Sequence, residues 1–359
     1  MTLLELRRIH CSGPPRELGR AQGEQLREPI RAFAAQRVER LREYLAERGS
    51  GDVERFFDVG RRCLDVYARW DAEGYDEHCG IAQAAGMDAA ELYSVGNMTD
   101  VRDVVLLPAP AADAEGCSAL LVPADRTASG QLIAAQTWDL NPTDLEYVVA
   151  VHRRPSEGPE TWSVTCVGCL SLIGMNAHGV SLGTTNIKTR GSRVGVGYLA
   201  IQHRAIRATT RAEAAGIIES APRAAAHTYW LADADGALEY ECSADRCVAR
   251  SLDGEALART NHCLDEHLVS EQGEEPNSSS FRRLSRMRTL LGARGQSVDS
   301  IRALFSDRAD GLDSICRYPE DDQGTATNAC IVCVPAERAL WACHGPADRG
   351  QWEKLPFDA

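Results

Sequence analysis

The sequence predicts an α+β protein in which two antiparallel sheets are layered between helices. Three observations lead there. The first hundred residues have mostly helical composition and spacing. The stretch Cys117-Ser118-Ala119-Leu120-Leu121-Val122 and the apolar stretch 131–139 read as two strands around a turn. After them, strands and helices arrive in blocks, without the regular strand–helix alternation of a doubly wound parallel sheet.

Taken in order, 14–23 leads into a helix at 32–46, where Phe33, Val38, Leu41 and Leu45 fall on one face. Segments 53–59, 63–68 and 81–92 read as further helices, broken by Gly51, Gly60 and Gly80, and Gly86-Met87-Asp88 ends one helix and caps the next. The Pro- and Ala-rich stretch 108–114 reads as a linker. Strands are expected at 118–122 and 132–137, with the turn at 125–130. Centring that turn near Ala128 sets Cys117 opposite Asp139.

Strands follow at 147–152, 162–167, 172–175 and 180–184, the last two flanking the tight turn Asn176-Ala177-His178-Gly179. Helices are expected at 197–207 and 211–220, the second capped by Thr209 or Thr210 with Glu213 answering. A strand pair at 227–232 and 238–242 turns at Asp235-Gly236, and 257–259 is a further strand. The polar run 272–280 reads as a loop. Helices at 281–291 and 298–305, the latter capped by Ser297, precede a closing strand pair at 329–334 and 339–343.

Length and charge narrow the function. The 359 residues suffice for a large core, and the net charge of -13 argues against nucleic acid or an anionic membrane as partner. The first ten residues lack the apolar core of a signal segment, and no apolar run reaches spanning length. A cytoplasmic protein is the expectation. The 13 cysteines are spread over the whole chain, unlike a compact disulfide framework, and most read as buried thiols.

Cys117 is the leading chemical candidate. It follows small Gly116 at a loop-to-strand boundary with Asp139 in reach. The bland alternative is a buried strand cysteine. A thiol needs a base or a lowered pKa to attack. Cutting the Gly116–Cys117 bond would supply one, because the new α-amine of Cys117 titrates near neutrality. In Thr260-Asn261-His262, Asn261 is a candidate donor to an oxyanion, His262 a candidate general base paired with the thiol, and both are equally well read as a capped strand end. Arg317, in the largely uncharged segment 314–319, is either a surface arginine or a cation that stabilises a thiolate or pairs with Asp139. Trp138, Asn176 and Asn186 are candidate substrate contacts. The pairs Cys166/Cys169 and Cys330/Cys333 offer a second reading, a structural zinc site. The spacing is weak for it, since two residues three apart on a strand point to opposite faces.

These residues resemble a known group. Glu115-Gly116-Cys117-Ser118 followed by Trp138-Asp139 is similar to the start of the acyl-coenzyme A:6-aminopenicillanic acid (isopenicillin N) acyltransferase family of peptidases. The segments 13–23, 173–180, 260–262 and 315–319 resemble other motifs of that family in the same order, so the resemblance covers about residues 10–345. It implies an N-terminal-nucleophile hydrolase fold, an αββα sandwich, made as a precursor that cuts itself before its nucleophile. On that footing residues 1–116 form a mostly helical N-terminal chain and 117–359 the catalytic chain, both parts of one folded unit that stay associated after cleavage. Cys117 is then nucleophile, its own α-amine the base, Asn261 the oxyanion donor, and Asp139 and Arg317 supports of processing and thiol activation. Ser118 stands where the family usually has Thr, and Thr137 where it often has Asn. The implied partners are a small amide or peptide substrate and an acyl-thioester donor, with no cofactor and no metal. An uncleaved binding module remains the third reading.

Overall fold

The computed structural model describes residues 3–49, 52–106, 116–273, 275–321 and 324–358. The stretch 108–114, read above as a linker, Gly51, read as a helix breaker, and Glu115 of the family motif lie outside the described residues.

Among the described residues the strands form two sheets. The eight-stranded sheet takes β1 (Arg8–Gly13), β4 (Val148–Pro155), β5 (Thr161–Cys166), β6 (Ile173–Asn176), β7 (Ser181–Asn186), β8 (His227–Asp233), β9 (Gly236–Cys242) and β10 (Cys247–Ser251), in that order. The six-stranded sheet runs β11 (Leu257–Arg259), β2 (Ser118–Val122), β3 (Ile133–Leu140), β12 (Ala326–Val334), β13 (Ala339–His344) and β14 (Glu353–Leu355). Every pairing is antiparallel except β1 with β4, which is parallel. The first sheet is therefore mixed, where two antiparallel sheets were expected. A parallel partner needs a long crossover, and the helical N-terminal segment between β1 and the following strands provides it.

The sheets pack face to face, β2 on β7 and β12 on β6. Helices α1 (Pro15–Gln25), α2 (Arg27–Glu47), α3 (Val53–Trp70), α4 (Ala72–Ala85), α5 (Ala89–Gly96), α6 (Met98–Leu106), α7 (Tyr198–Ala205) and α8 (Arg211–Ser220) belong to the layer on the eight-stranded sheet. After the short α9 (Glu266–Ser270), α10 (Ser278–Leu291) and α11 (Val298–Phe305) cover the six-stranded sheet. The result is the αββα layering that the family resemblance implies. Strand alternation sorts the six-stranded sheet between two cores. Ala119, Leu121 and Ile331 face the other sheet, while Leu120, Val122 and Val332 face α10 and α11.

Two glycines expected to break helices do not. Gly60 lies inside α3 and Gly80 inside α4. Both are sites of close approach: a Cβ on Gly60 would overlap the Ser94 hydroxyl, and one on Gly80 the Arg16 carbonyl. Gly19 of α1 meets the Glu77 carbonyl in the same way, so α1 and α4 cross backbone to backbone. The pattern 14–23, with two prolines and two glycines, hides a helix for that reason. Other local readings hold: Gly86 ends α4 at φ 68°, Asp88 caps α5, Thr210 caps α8 while Glu213 accepts from Thr209, and Ser297 caps α11. The loop expected at 272–280 is shorter, because Asn277 caps α10 and starts it at Ser278.

Candidate active site

The β2–β3 hairpin places the nucleophile candidate. Ser118 pairs with Thr137, so continuing the register sets Cys117 across from Trp138 and Gly116 across from Asp139. The expected pairing of Cys117 with Asp139 is off by one residue. The cause is the connection, a 3-10 turn at Ala124–Arg126 closed by the Thr127 hydroxyl bonding Gln131, rather than a turn centred on Ala128.

The one-residue shift gives the hairpin two chemical faces. Cys117 and Trp138 face the space between the sheets. Their pocket is also lined by Asp139, Thr184, Asn186, Tyr198 and His227, with Leu140 and Leu172 supplying apolar wall. The Cys117 thiol lies 3.8 Å from the backbone carbonyl of Asp139. Thr137 and the side chain of Asp139 turn to the α10 side. The Thr137 hydroxyl accepts from the Ser118 amide at 3.2 Å, so residue 137 holds the hairpin and does not reach the pocket.

Gly116 sits where a side chain cannot. A Cβ there would lie 2.7 Å from the Asp139 Cβ, 2.9 Å from its Oδ2 and 3.3 Å from the Arg317 Nε. Arg317 is buried, its Nε 4.0 Å from Asp139 Oδ2. Its guanidinium donates to the hydroxyls of Thr325 and Ser279, and its amide to the Thr327 hydroxyl at 3.1 Å. Asp139 has a pKa raised to about 6. Burial is the larger effect and favours the neutral carboxyl; Arg317 and Arg283 pull the other way without matching it. The Thr327 and Thr137 hydroxyls also favour the charged form, but neither carboxylate oxygen makes a hydrogen bond of ordinary geometry.

Asn261 follows β11. Its Nδ2 donates to the Asn186 carbonyl at 3.0 Å, and its Oδ1 accepts from Arg283 Nη2 at 3.0 Å. Asn186 ends β7 and lies between the Cys117 pocket and a second one, lined by Asn261, His262, Lys188 and Ser280. His262 belongs to that second pocket and not to the wall of the first. Its Nδ1 is 2.7 Å from the Ser280 hydroxyl, and burial together with Arg259, Arg283 and Arg288 pushes its pKa down to about 4.

Asn176 is held in its turn. Its Nδ2 donates to the carbonyls of Ile206 and Ala208 at 2.8 and 2.7 Å, and its Oδ1 accepts from the amides of His178 and Val180. The structure thus brings Cys117, Asp139, Trp138 and Asn186 to one pocket and Arg317 and Asn261 to its margins, and leaves Asn176 apart. The two CxxC pairs also stay apart. Cys166 lies beside Arg37 and Asp144, while Cys330 and Cys333 point to opposite faces of β12. Among the described residues no group of three or more His, Cys, Asp or Glu is set to hold a metal.

Two groups were missed in the sequence. Arg283, fully buried on α10, donates from Nη1 to the Cys117 carbonyl at 2.5 Å and to the Ser118 hydroxyl at 3.0 Å. Burial first, and then repulsion by Arg317, push its pKa down to about 9. The available signal was its place one and two turns before Met287 and Leu291 on the buried stripe of α10. The second group is His227, whose Nε2 bonds Asp100 Oδ1 at 2.6 Å while its ring stacks on Tyr198 at 4.5 Å. Nothing in the local sequence links Asp100 to His227.

A buried thiol opening on a pocket between two sheets, with a carboxyl, two guanidiniums and an amide around it, defines a site suited to acyl chemistry. The chain belongs to the acyl-coenzyme A:6-aminopenicillanic acid acyl-transferase family, whose profile matches residues 126–349. It is 25% identical over 329 residues, 90% of this chain and 88% of the relative, to the 40 kDa form of acyl-coenzyme A:6-aminopenicillanic-acid-acyltransferase of Emericella nidulans. Among solved structures it is similar to penicillin V acylase from Agrobacterium tumefaciens, at 14% identity and TM-score 0.41 over 64% of this chain and 82% of that one. It is also similar to a mutant of the conjugated bile acid hydrolase from Clostridium perfringens, at 8% identity and TM-score 0.41 over 67% of this chain and 97% of that one. Its membership of that family makes the protein an enzyme of acyl transfer. No helix among the described residues is long and apolar enough to cross a membrane.

Proposed function

We propose that the chain is a self-activating cysteine amidohydrolase or acyltransferase that cuts its own Gly116–Cys117 bond and then works through a thioester on Cys117. In processing, the thiol adds to the Gly116 carbonyl and the Cys117 nitrogen leaves as an amine, taking a proton. Water then hydrolyses the Gly116 thioester, giving a carboxylate and the free thiol. In turnover, the Cys117 α-amine accepts the thiol proton and Sγ adds to the substrate carbonyl. Asn261 donates Nδ2 to the oxyanion in place of its bond to Asn186. The leaving amine departs with the proton. Water or an amine then attacks the acyl-thioester, passing its proton to the α-amine, and Sγ leaves.

The observation that carries this reading is the fit of Gly116 against Asp139 and Arg317, while the adjacent thiol faces a pocket between the sheets. Trp138, Leu140, Leu172 and Tyr198 suit an apolar acyl group, donated as an amide, a small peptide or a thioester. Trp138 and Asn186 contribute substrate contacts on this reading, His262 lining the adjoining pocket instead, and the scheme invokes no cofactor or metal. The chains 1–116 and 117–359 stay together because one core runs through both, from Leu6 and Phe33 to Ile331 and Leu355. Cys242 and Cys247 pair as a disulfide across β9 and β10 and the other eleven cysteines remain thiols; a cytoplasmic setting belongs to this reading. Denaturing mass analysis tests the processing step. Wild type is expected as two chains, and Cys117→Ala as one chain of 39.1 kDa. A wild type that turns over amide substrate while remaining a single chain would refute it.

A further inference from the structure

We propose that Arg283 is a positioning residue that locks two groups at once: the backbone of Cys117 and the side-chain amide of Asn261. The proposal rests on the reading that Cys117 becomes a chain terminus. Its geometry is a fork. Nη1 holds the Cys117 carbonyl at 2.5 Å and Nη2 the Asn261 Oδ1 at 3.0 Å. Arg283 reaches both from α10, which is anchored at Leu284, Met287 and Leu291.

The first half of the clamp answers a problem that processing creates. While Gly116 is bonded to Cys117, the nucleophile is tied on both sides. After cleavage it is the first residue of its chain, one place before the paired positions of β2 begin at Ser118. Chain ends fray unless they are held. A charge-assisted bond to the Cys117 carbonyl, with a second from the same nitrogen to the Ser118 hydroxyl at 3.0 Å, fixes the terminal residue on its remaining side. Thiol and α-amine then keep their relation to each other and to the pocket.

The second half fixes an orientation. An asparagine side chain carries an acceptor and a donor of nearly equal shape, and only the donor serves an oxyanion. Guanidinium is donor-only. Turning the Asn261 amide over would set its NH₂ against Nη2, donor against donor. Arg283 therefore pins Oδ1 and sends Nδ2 towards Asn186, on the edge of the Cys117 pocket. Lysine cannot replace this fork, because one ammonium is a point charge that does not span two acceptors in fixed geometry.

The test compares wild type, Arg283→Lys, Asn261→Ala and the double variant on short N-acyl para-nitroanilides, with chain composition read by mass. Arg283→Lys is expected to process into two chains, to hold KM within about twofold and to lose roughly 100-fold in kcat, the scale of a misplacement of about 1 Å at a reacting group. Because Arg283 acts partly through Asn261, the two single losses should not multiply in the double variant. Wild-type kcat in Arg283→Lys, or losses that multiply fully, would overturn the proposal. Should Arg283→Lys fail to fold, Arg283→Gln, which keeps a donor without charge, carries the same comparison. A wild type that neither processes nor turns over any amide would sink the underlying reading instead, so the two failures are distinct.

Discussion

The carboxyl of Asp139 is held in the fold at a cost that rises with pH, and removing its charge should stabilise the protein at neutral pH. Its pKa stands at about 6 against an ordinary value of 3.8. At 1.36 kcal/mol per pH unit the gap is worth about 3 kcal/mol. The sign follows from proton binding. Between about pH 4 and pH 6 the folded state holds a proton that the unfolded chain has lost, so stability falls as pH rises through that window and is level above it. Asp139→Asn keeps the shape and cannot ionise, so it escapes the fall. Its advantage should be near zero at pH 4 and about 3 kcal/mol at pH 7.5. With an unfolding entropy of about 2.1 cal/mol/K per residue over 359 residues, that is a rise in Tm of about 4 °C. The comparison is best made in a Cys117→Ala background, where both proteins are expected as single chains, by thermal unfolding at half-unit steps from pH 4 to 8. A Tm that drops by several degrees on Asp139→Asn at pH 7.5, with the drop fading towards pH 4, would refute the argument. It would mean that the pairing with Arg317 outweighs burial.

Gly19→Ala puts a methyl group into the Glu77 carbonyl where α1 crosses α4. The helices must part, at about 1–3 kcal/mol, and an unchanged Tm would contradict the crossing described. His262 bonds Ser280 in the second pocket, and a pKa pushed down to about 4 makes it a weak base near neutrality. His262→Gln should therefore leave the pH–rate profile unmoved between pH 5.5 and 9, with activity rising through the range of an α-amine, about 7.7–8.0 in model peptides. A shifted acid limb in that variant would make His262 the base.

Much of this architecture is legible in the sequence because its strongest signals are local. Short apolar runs mark β2, β12 and β13, and caps mark α5, α8 and α11. The losses have a common cause. Proline and glycine hide the helix at Pro15–Gln25, where Gly19 admits the Glu77 carbonyl, a contact 58 residues away that no local pattern encodes. The hairpin register slipped by one because the connection spends residues on a 3-10 turn. At the site, the order of the motifs around Cys117, Asp139, Asn261 and Arg317 is readable by resemblance, and the fold gathers those four around the start of β2. Arg283 and His227 were not readable. An arginine in the run Ser280-Phe281-Arg282-Arg283 looks like a solvated face, and its role appears only when α10 is laid against Cys117. Asn176 looked like a substrate contact, but its hydrogen bonds are used up in closing a turn.

The most direct measurement of the central claim is the mass of the protein caught in turnover. Wild type is incubated with a short N-acyl amide, quenched in acid and analysed under denaturing conditions. The account predicts two chains, 1–116 and 117–359, with the mass of one acyl group added to the second alone and lost on treatment with hydroxylamine, as a thioester requires. Cys117→Ala should give one chain with no adduct and no turnover. An acyl group carried on residues 1–116, or undiminished turnover in Cys117→Ala, would contradict it.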